Sequence, residues 1–185
     1  MLIKYSEKKL TYTGKELRSL FIYNTFNLQG DALVSFQGEC DVKLPEMVDQ
    51  EDVKANAPIY SPLMLHFLAE FFGDDLRCAV TRQRLFIASI LEILQEHAPH
   101  IPWKRSGDDI YVEEKKVSVS IATASPVSCL LHTGLNIVSK NTPVPAYGLG
   151  DAGVNTEKIA LEILHKFKKE IEEIELAKCK VRWVT

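Results

Sequence analysis

The chain has 185 residues, of which 46% are hydrophobic and 25% charged, with a formal net charge of -3. A chain of that length suits one domain with a proper core, while the mildly acidic balance gathers no phosphates, so nucleic acid is excluded as a partner. Lys4 interrupts the N-terminus too early for a leader, and no apolar run approaches the roughly 20 residues of a membrane span, so the expectation is a cytoplasmic protein without a membrane partner.

Residues 1–185 read as a single domain, because no repeat, low-complexity tract or linker divides them. After a short opening strand, Leu17, Leu20, Phe21 and Phe26 predict a helix within Lys15–Asn27. Gly30-Asp31 turns the chain into two strands, Ala32–Phe36 and Glu39–Val42, on either side of Gln37-Gly38. Ser61-Pro62 has the form of a helix start, since Ser can cap free amides and Pro in the first turn loses no hydrogen bond. The spacing predicts a buried helix over the apolar run Leu63–Phe72, stopped by Gly73. Thr81 is expected to open a second helix that ends before Pro99, and Thr156-Glu157 a third that runs to about Ala177, with Lys180–Val184 as a closing strand.

Between the second and third helices lie three strands, Asp108–Val112, Lys115–Thr123 and Val127–Val138. Side chains alternate faces along a strand. In the middle strand Val117, Val119 and Ile121 share one face, and Lys116, Ser118, Ser120 and Ala122 the other. In the last, Leu131, Thr133, Leu135 and Ile137 oppose His132, Gly134 and Asn136. If the two polar faces coincide, small hydroxyls, a glycine, a histidine, an asparagine and a lysine converge, which is the composition of a pocket. The plainer alternative is a wet antiparallel face on which Ser and Gly make room for a covering element.

Other clusters read more plainly. Asp49, Glu51 and Asp52 suit a solvated loop better than a cation site. His66, with Glu70 four residues on, makes at most a polar notch in a buried helix. Arg82 and Arg84 flank Gln83 at the expected start of the second helix, where an anion could bind. Cys40, Cys78, Cys129 and Cys179 form no CxxC pair and are expected to be reduced, buried thiols; Cys129 and His132, three apart on a strand, point to opposite faces and make no catalytic pair.

Gly107-Asp108-Asp109-Ile110, Lys116-Val117-Ser118-Val119-Ser120 and Gly134-Leu135-Asn136-Ile137 are similar in order and spacing to the catalytic motifs of biotin and lipoate protein ligases. Nearly the whole chain also resembles the family DUF366, through Gly38-Glu39-Cys40-Asp41-Val42, Met47-Val48-Asp49, Leu65-His66-Phe67, Gln83-Arg84-Leu85 and Val117 to Thr123. The ligase resemblance implies an α+β domain with a central, mostly antiparallel sheet flanked by helices. It implies Lys116 as the catalytic cation on the acyl-adenylate oxygens and Asp109 near the nucleotide. Arg105, Asp108, Ser118, Ser120, His132, Gly134 and Asn136 would surround the ligand, a small acid or nucleotide.

The chain departs from that pattern at Val119, where the ligases have glycine, and at Phe36–Val42, which has one glycine and two acids in place of an Arg- and Gly-rich adenylate loop. Those departures favour transfer of an already activated acyl group, or ligand binding without catalysis, over ATP-dependent activation. They name no cofactor and leave a homo-oligomer open.

Overall fold

The computed structural model describes residues 1–184. A five-stranded sheet is built from β1 (Leu2–Ser6), β2 (Ala32–Val42), β3 (Ile59–Phe71), β8 (Cys129–Asn136) and β7 (Ser118–Ala124), in that spatial order. Only β1 and β2 run parallel; the other neighbours are antiparallel. A small sheet of β4 (Trp103–Ser106), β5 (Asp109–Val112) and β6 (Lys115–Lys116) packs beside β7.

Helices α3 (Leu76–His97) and α4 (Thr156–Cys179) cover one face of the large sheet. There Leu33, Leu65, Phe67, Leu131 and Leu135 share a core with Phe86, Ile90, Ile163 and Phe167. The opposite face, with Val34, Phe36, Met64 and Leu68, is closed by the N-terminal loop at Tyr12, by α1 (Phe21–Phe26) and by Met47. Two short turns of helix, the 3-10 segment Leu44–Glu46 and α2 (Gln50–Lys54), join β2 to β3.

The expected helix over Leu63–Phe72 is instead the centre of strand β3. Strands on both sides and cover on both faces leave nearly every residue buried, so the period of two that marks a strand is hidden. Pro62 supports this placement. Two residues of β3, Pro62 and Leu63, oppose the single Glu39 of β2 between the pairs Cys40–Ser61 and Gly38–Met64, and a bulge is where a residue without an N–H is tolerated in a sheet.

Four other boundaries move. The helix expected within Lys15–Asn27 is only Phe21–Phe26, because Leu20 at φ 62° breaks the regular turn; both Glu70 carboxylate oxygens accept its N–H, at 2.8 and 3.1 Å. The two strands around Gly38 are one, β2. Helix α3 starts at Leu76, capped by Asp75, whose carboxylate accepts from the Cys78 amide at 2.7 Å, so Thr81 is interior and donates back to the Arg77 carbonyl. Asn155 rather than Thr156 caps α4. No strand forms over residues 180–184, where Trp183 is 93% exposed and no strand pairs with the segment.

Candidate functional site

The face of the sheet away from α3 and α4 encloses a cavity of about 330 Å³, within the size range of small-ligand pockets. Its floor is β8 and β3, with His132, Asn136 and Met64; Val119 and Ile121 of β7 flank it. Tyr12 and Leu17 come from the N-terminal loop, Met47, Asp49 and Asp52 from the β2–β3 connection, and Thr142–Ala146 from the segment after β8.

Lys116, Asp109, His132 and Asn136, drawn from three strands, all line this cavity. Lys116 Nζ lies 2.9 Å from an Asp109 carboxylate oxygen. Burial pulls the lysine pKa down, but its bond to Asp109, with Tyr111 and Asp52 nearby, outweighs that and leaves it above the ordinary value. Burial likewise raises Asp109, and the lysine only partly offsets it. The pair is therefore charged but partly desolvated. Asn136 donates from Nδ2 to the Lys116 carbonyl at 3.3 Å, tying β8 to the end of β6.

The convergence of the two polar strand faces does not occur. Ser118 pairs with Leu135 and Ser120 with Thr133, so both serines lie on the helix side, while Val119 and Ile121 pair with Gly134 and His132 on the cavity side. Lys116 belongs to β6, and buried Val117 carries the chain from one sheet to the other, so parity cannot be counted through that crossing. Ser118 accepts from the Ile110 amide at 2.8 Å and does not line the cavity. Ser120 reaches only the cavity edge, its hydroxyl held by Gln83 at 3.0 Å and Thr133 at 2.9 Å. Asp108, also at the edge, pairs with Arg84 at 3.3 Å. Arg105 is exposed and bonds the Gly107 carbonyl, outside the cavity. Gly134 lies under Met64, whose Cε would stand 2.9 Å from a Cβ there.

Two residues not counted as central, His66 and Tyr12, complete the interior. His66, placed by β3 rather than a helix, lies on the same face as His132 and 3.1 Å from it, Nδ1 to Nε2. Its Nε2 faces the Gly38 carbonyl at 3.2 Å, which requires the proton on that nitrogen. His132 therefore donates from Nε2 to His66 Nδ1, and its own Nδ1 is an unprotonated acceptor. Tyr12 stacks on the His132 ring, centroids 3.7 Å apart and planes at 11°. Burial holds His66 down at about 4, and burial with the neighbouring His66 holds His132 well below its ordinary value, so both are neutral at pH 7. Tyr12 comes from 120 positions upstream of His132 with no motif of its own; the pairing of His66 with His132 becomes visible only once 59–71 is read as a strand.

The remaining candidates resolve as architecture. Asp49 caps α2, accepting from the Glu51 and Asp52 amides, and no group of three metal-ligating side chains occurs among the described residues. Arg82, inside α3 rather than at its start, pairs with Asp74 at 3.0 Å and stacks 4.5 Å over Phe71. Cys129 donates to the Asp74 carbonyl, on the face opposite His132. All four cysteines are free, but only Cys40 and Cys129 are buried; Cys78 is half-buried and Cys179 exposed.

A family model, the domain of unknown function DUF366, matches residues 1–182. The chain belongs to the DUF366 family. An uncharacterized protein of Methanocaldococcus jannaschii is 37% identical over 182 residues, covering 95% of this chain and 81% of that one. A protein of unknown function from Pyrococcus horikoshi superposes with a TM-score of 0.92 at 38% identity, over 100% of this DUF366 chain and 99% of its own. More distant in sequence are a biotin protein ligase from Aquifex aeolicus in complex with biotin and ATP, with TM-score 0.60, 17% identity and coverage of 93% and 71%, and a putative lipoate protein ligase from T. acidophilum with bound lipoic acid, with TM-score 0.64, 13% identity and coverage of 93% and 86%. At these identities the likeness shows the fold, and the DUF366 fold is that of the biotin and lipoate protein ligases. No helix is long and apolar enough to cross a membrane among the described residues.

Proposed function

We propose that the cavity holds a small carboxylic acid in an activated, acyl form, and that the protein is an acyl or cofactor transferase with Lys116 as the cation on the acyl oxygen. The carrying observation is the half-buried Lys116–Asp109 pair in the wall of the cavity, which Met64 and Val119 also line. A cation held by a carboxylate keeps spare donors for a developing oxyanion, and partial desolvation strengthens them. The solved neighbours of this fold include proteins with biotin and with lipoic acid bound.

ATP is a poor occupant. Lining carboxylates number five, Glu46, Asp49, Asp52, Asp108 and Asp109, against one lysine, and such a lining repels a polyanion. The stretch where an adenylate loop would stand is continuous strand, and Gly38 makes room for protein: a Cβ there would lie 1.8 Å from the Leu10 carbonyl oxygen. A covalent acyl-enzyme is also disfavoured, because burial pushes Cys40, a thiol on the wall, up to about 12. A thiol held protonated in this way also suits a second reading, a domain that binds the acid without turning it over. Unpaired thiols fit a reducing compartment and a cytoplasmic protein.

Thermal unfolding with octanoate, an octanoyl thioester, biotin, lipoate and ATP tests the reading. An acyl compound should raise Tm, ATP alone should not, and Lys116→Ala should lose the shift. No shift with any acid or thioester would remove the pocket reading. Binding without transfer to an amine acceptor would select the second reading.

A further inference from the structure

The end of the cavity away from Lys116 has its own chemistry. His132 and Asn136 are four residues apart on the same side of β8, which separates them by about 13 Å at the rise of a strand. Between them the floor is Gly134 beneath Met64 and Val119, all apolar. One polar end thus carries Lys116 and Asn136, and the other carries His132.

His132 is 3% exposed, it lines the cavity, and the ring bond it makes is through Nε2, with none at Nδ1 among the described residues. Its orientation and tautomer are set from behind. The Gly38 carbonyl takes the His66 Nε2 proton, His66 Nδ1 takes the His132 Nε2 proton, and Tyr12 fixes the plane by stacking. What remains toward the cavity is a lone pair. A hydrogen-bond donor brought to that lone pair gains a bond, while a carboxylate or carbonyl placed there would set lone pair against lone pair.

We propose that His132 Nδ1 is a ligand-recognition site that selects acids or acyl groups carrying a hydrogen-bond donor, a hydroxyl or an amide N–H, at the end remote from the carboxyl. His66 is its positioning residue, because without the His66 acceptor the His132 proton is free to move to Nδ1 and reverse the polarity. This rests on the pocket reading above and adds the class of ligand: a chain polar at both ends with an apolar middle, rather than a plain fatty acyl group. The neutrality of both rings, imposed by burial, keeps the acceptor character intact at physiological pH.

Calorimetric titration of the full chain with octanoate, 8-hydroxyoctanoate and suberate tests it. We expect 8-hydroxyoctanoate to bind at least tenfold more tightly than octanoate, and suberate, which sets a carboxylate against Nδ1, to bind more weakly than either. In His132→Phe the ratio of 8-hydroxyoctanoate to octanoate affinity should fall to about one, and in His66→Phe the ratio should fall as well. Equal or tighter binding of octanoate to the wild type overturns the inference and leaves the pocket reading standing. Failure of all three acids to bind overturns both. Should the variants not fold, the wild-type ratio decides alone.

Discussion

The two faces of the five-stranded sheet are made from alternate residues of the same strands, yet they are built for different ends. Under α3 and α4, side chains such as Phe67, Phe86 and Phe167 interlock, with ring centroids 5.3 and 4.7 Å apart. Beneath the N-terminal loop the same strands bury His66, Glu70, His132 and Asn136, and loop residues rather than long helices close over them. The face covered by helices is mainly apolar, with Ser118, Ser120 and Thr133 bonded within it. The face covered by loops keeps a cavity, and buried polar groups around it such as Glu70 are held by named partners.

That contrast can be broken from either side. Phe86→Ala, which opens a hole between two aromatic partners on the helix face, should cost about 3 to 5 kcal/mol in denaturant unfolding while leaving ligand preference unchanged. Glu70→Ala strips the acceptor from the Leu20 amide and from the Ser128 hydroxyl at 2.6 Å, and should cost about 2 to 3 kcal/mol, with loss of protection at Leu20 in hydrogen exchange.

The cavity face should also carry a pH dependence that the helix face lacks. His66 is lowered from 6.5 to about 4 in the fold, and His132 is lowered too. Between those values the unfolded chain binds the protons and the folded chain does not, so stability is full above 6.5 and is lost as pH falls toward 4. From pH 7 to 5 the loss should be about 2 kcal/mol for such a histidine, and the double variant His66→Phe/His132→Phe should flatten the profile of Tm against pH. Lys116→Ala has the smallest expected effect on folding, about 1 kcal/mol for a pair that keeps partial contact with water. Its effect should appear in acyl binding instead, and a large loss of stability would mark the pair as structural.

What could be read from the residues follows the same division. The amphipathic character of 156–177 located α4, and alternation over 118–136 located β7 and β8 with their turn, because each has one solvent-like and one apolar side. Residues 59–71 misled, since a strand buried on both faces has no alternation and Ser61-Pro62 imitates a helix start. The site was half legible. Lys116, Asp109, His132 and Asn136 do share a cavity, but the serines do not join them, because register is set by pairing and the crossing at Val117 breaks the count. Tyr12 carried no signal as a site residue, and His66 was read only as a polar notch with Glu70 on a helix, since what brings both to His132 is the fold rather than any local pattern.

In the proposed site one cavity reads both ends of a bound acid, with Lys116 at one and the His132 lone pair at the other. Nitrogen NMR of histidine-labelled protein titrated with 8-hydroxyoctanoate tests it most directly. His132 Nδ1 should appear as an unprotonated imidazole nitrogen in the free protein and shift on saturation toward a hydrogen-bonded acceptor, with Nε2 still protonated. Saturable binding that leaves the His132 nitrogens unmoved, or an Nδ1 protonated in the free protein at pH 7, would contradict it.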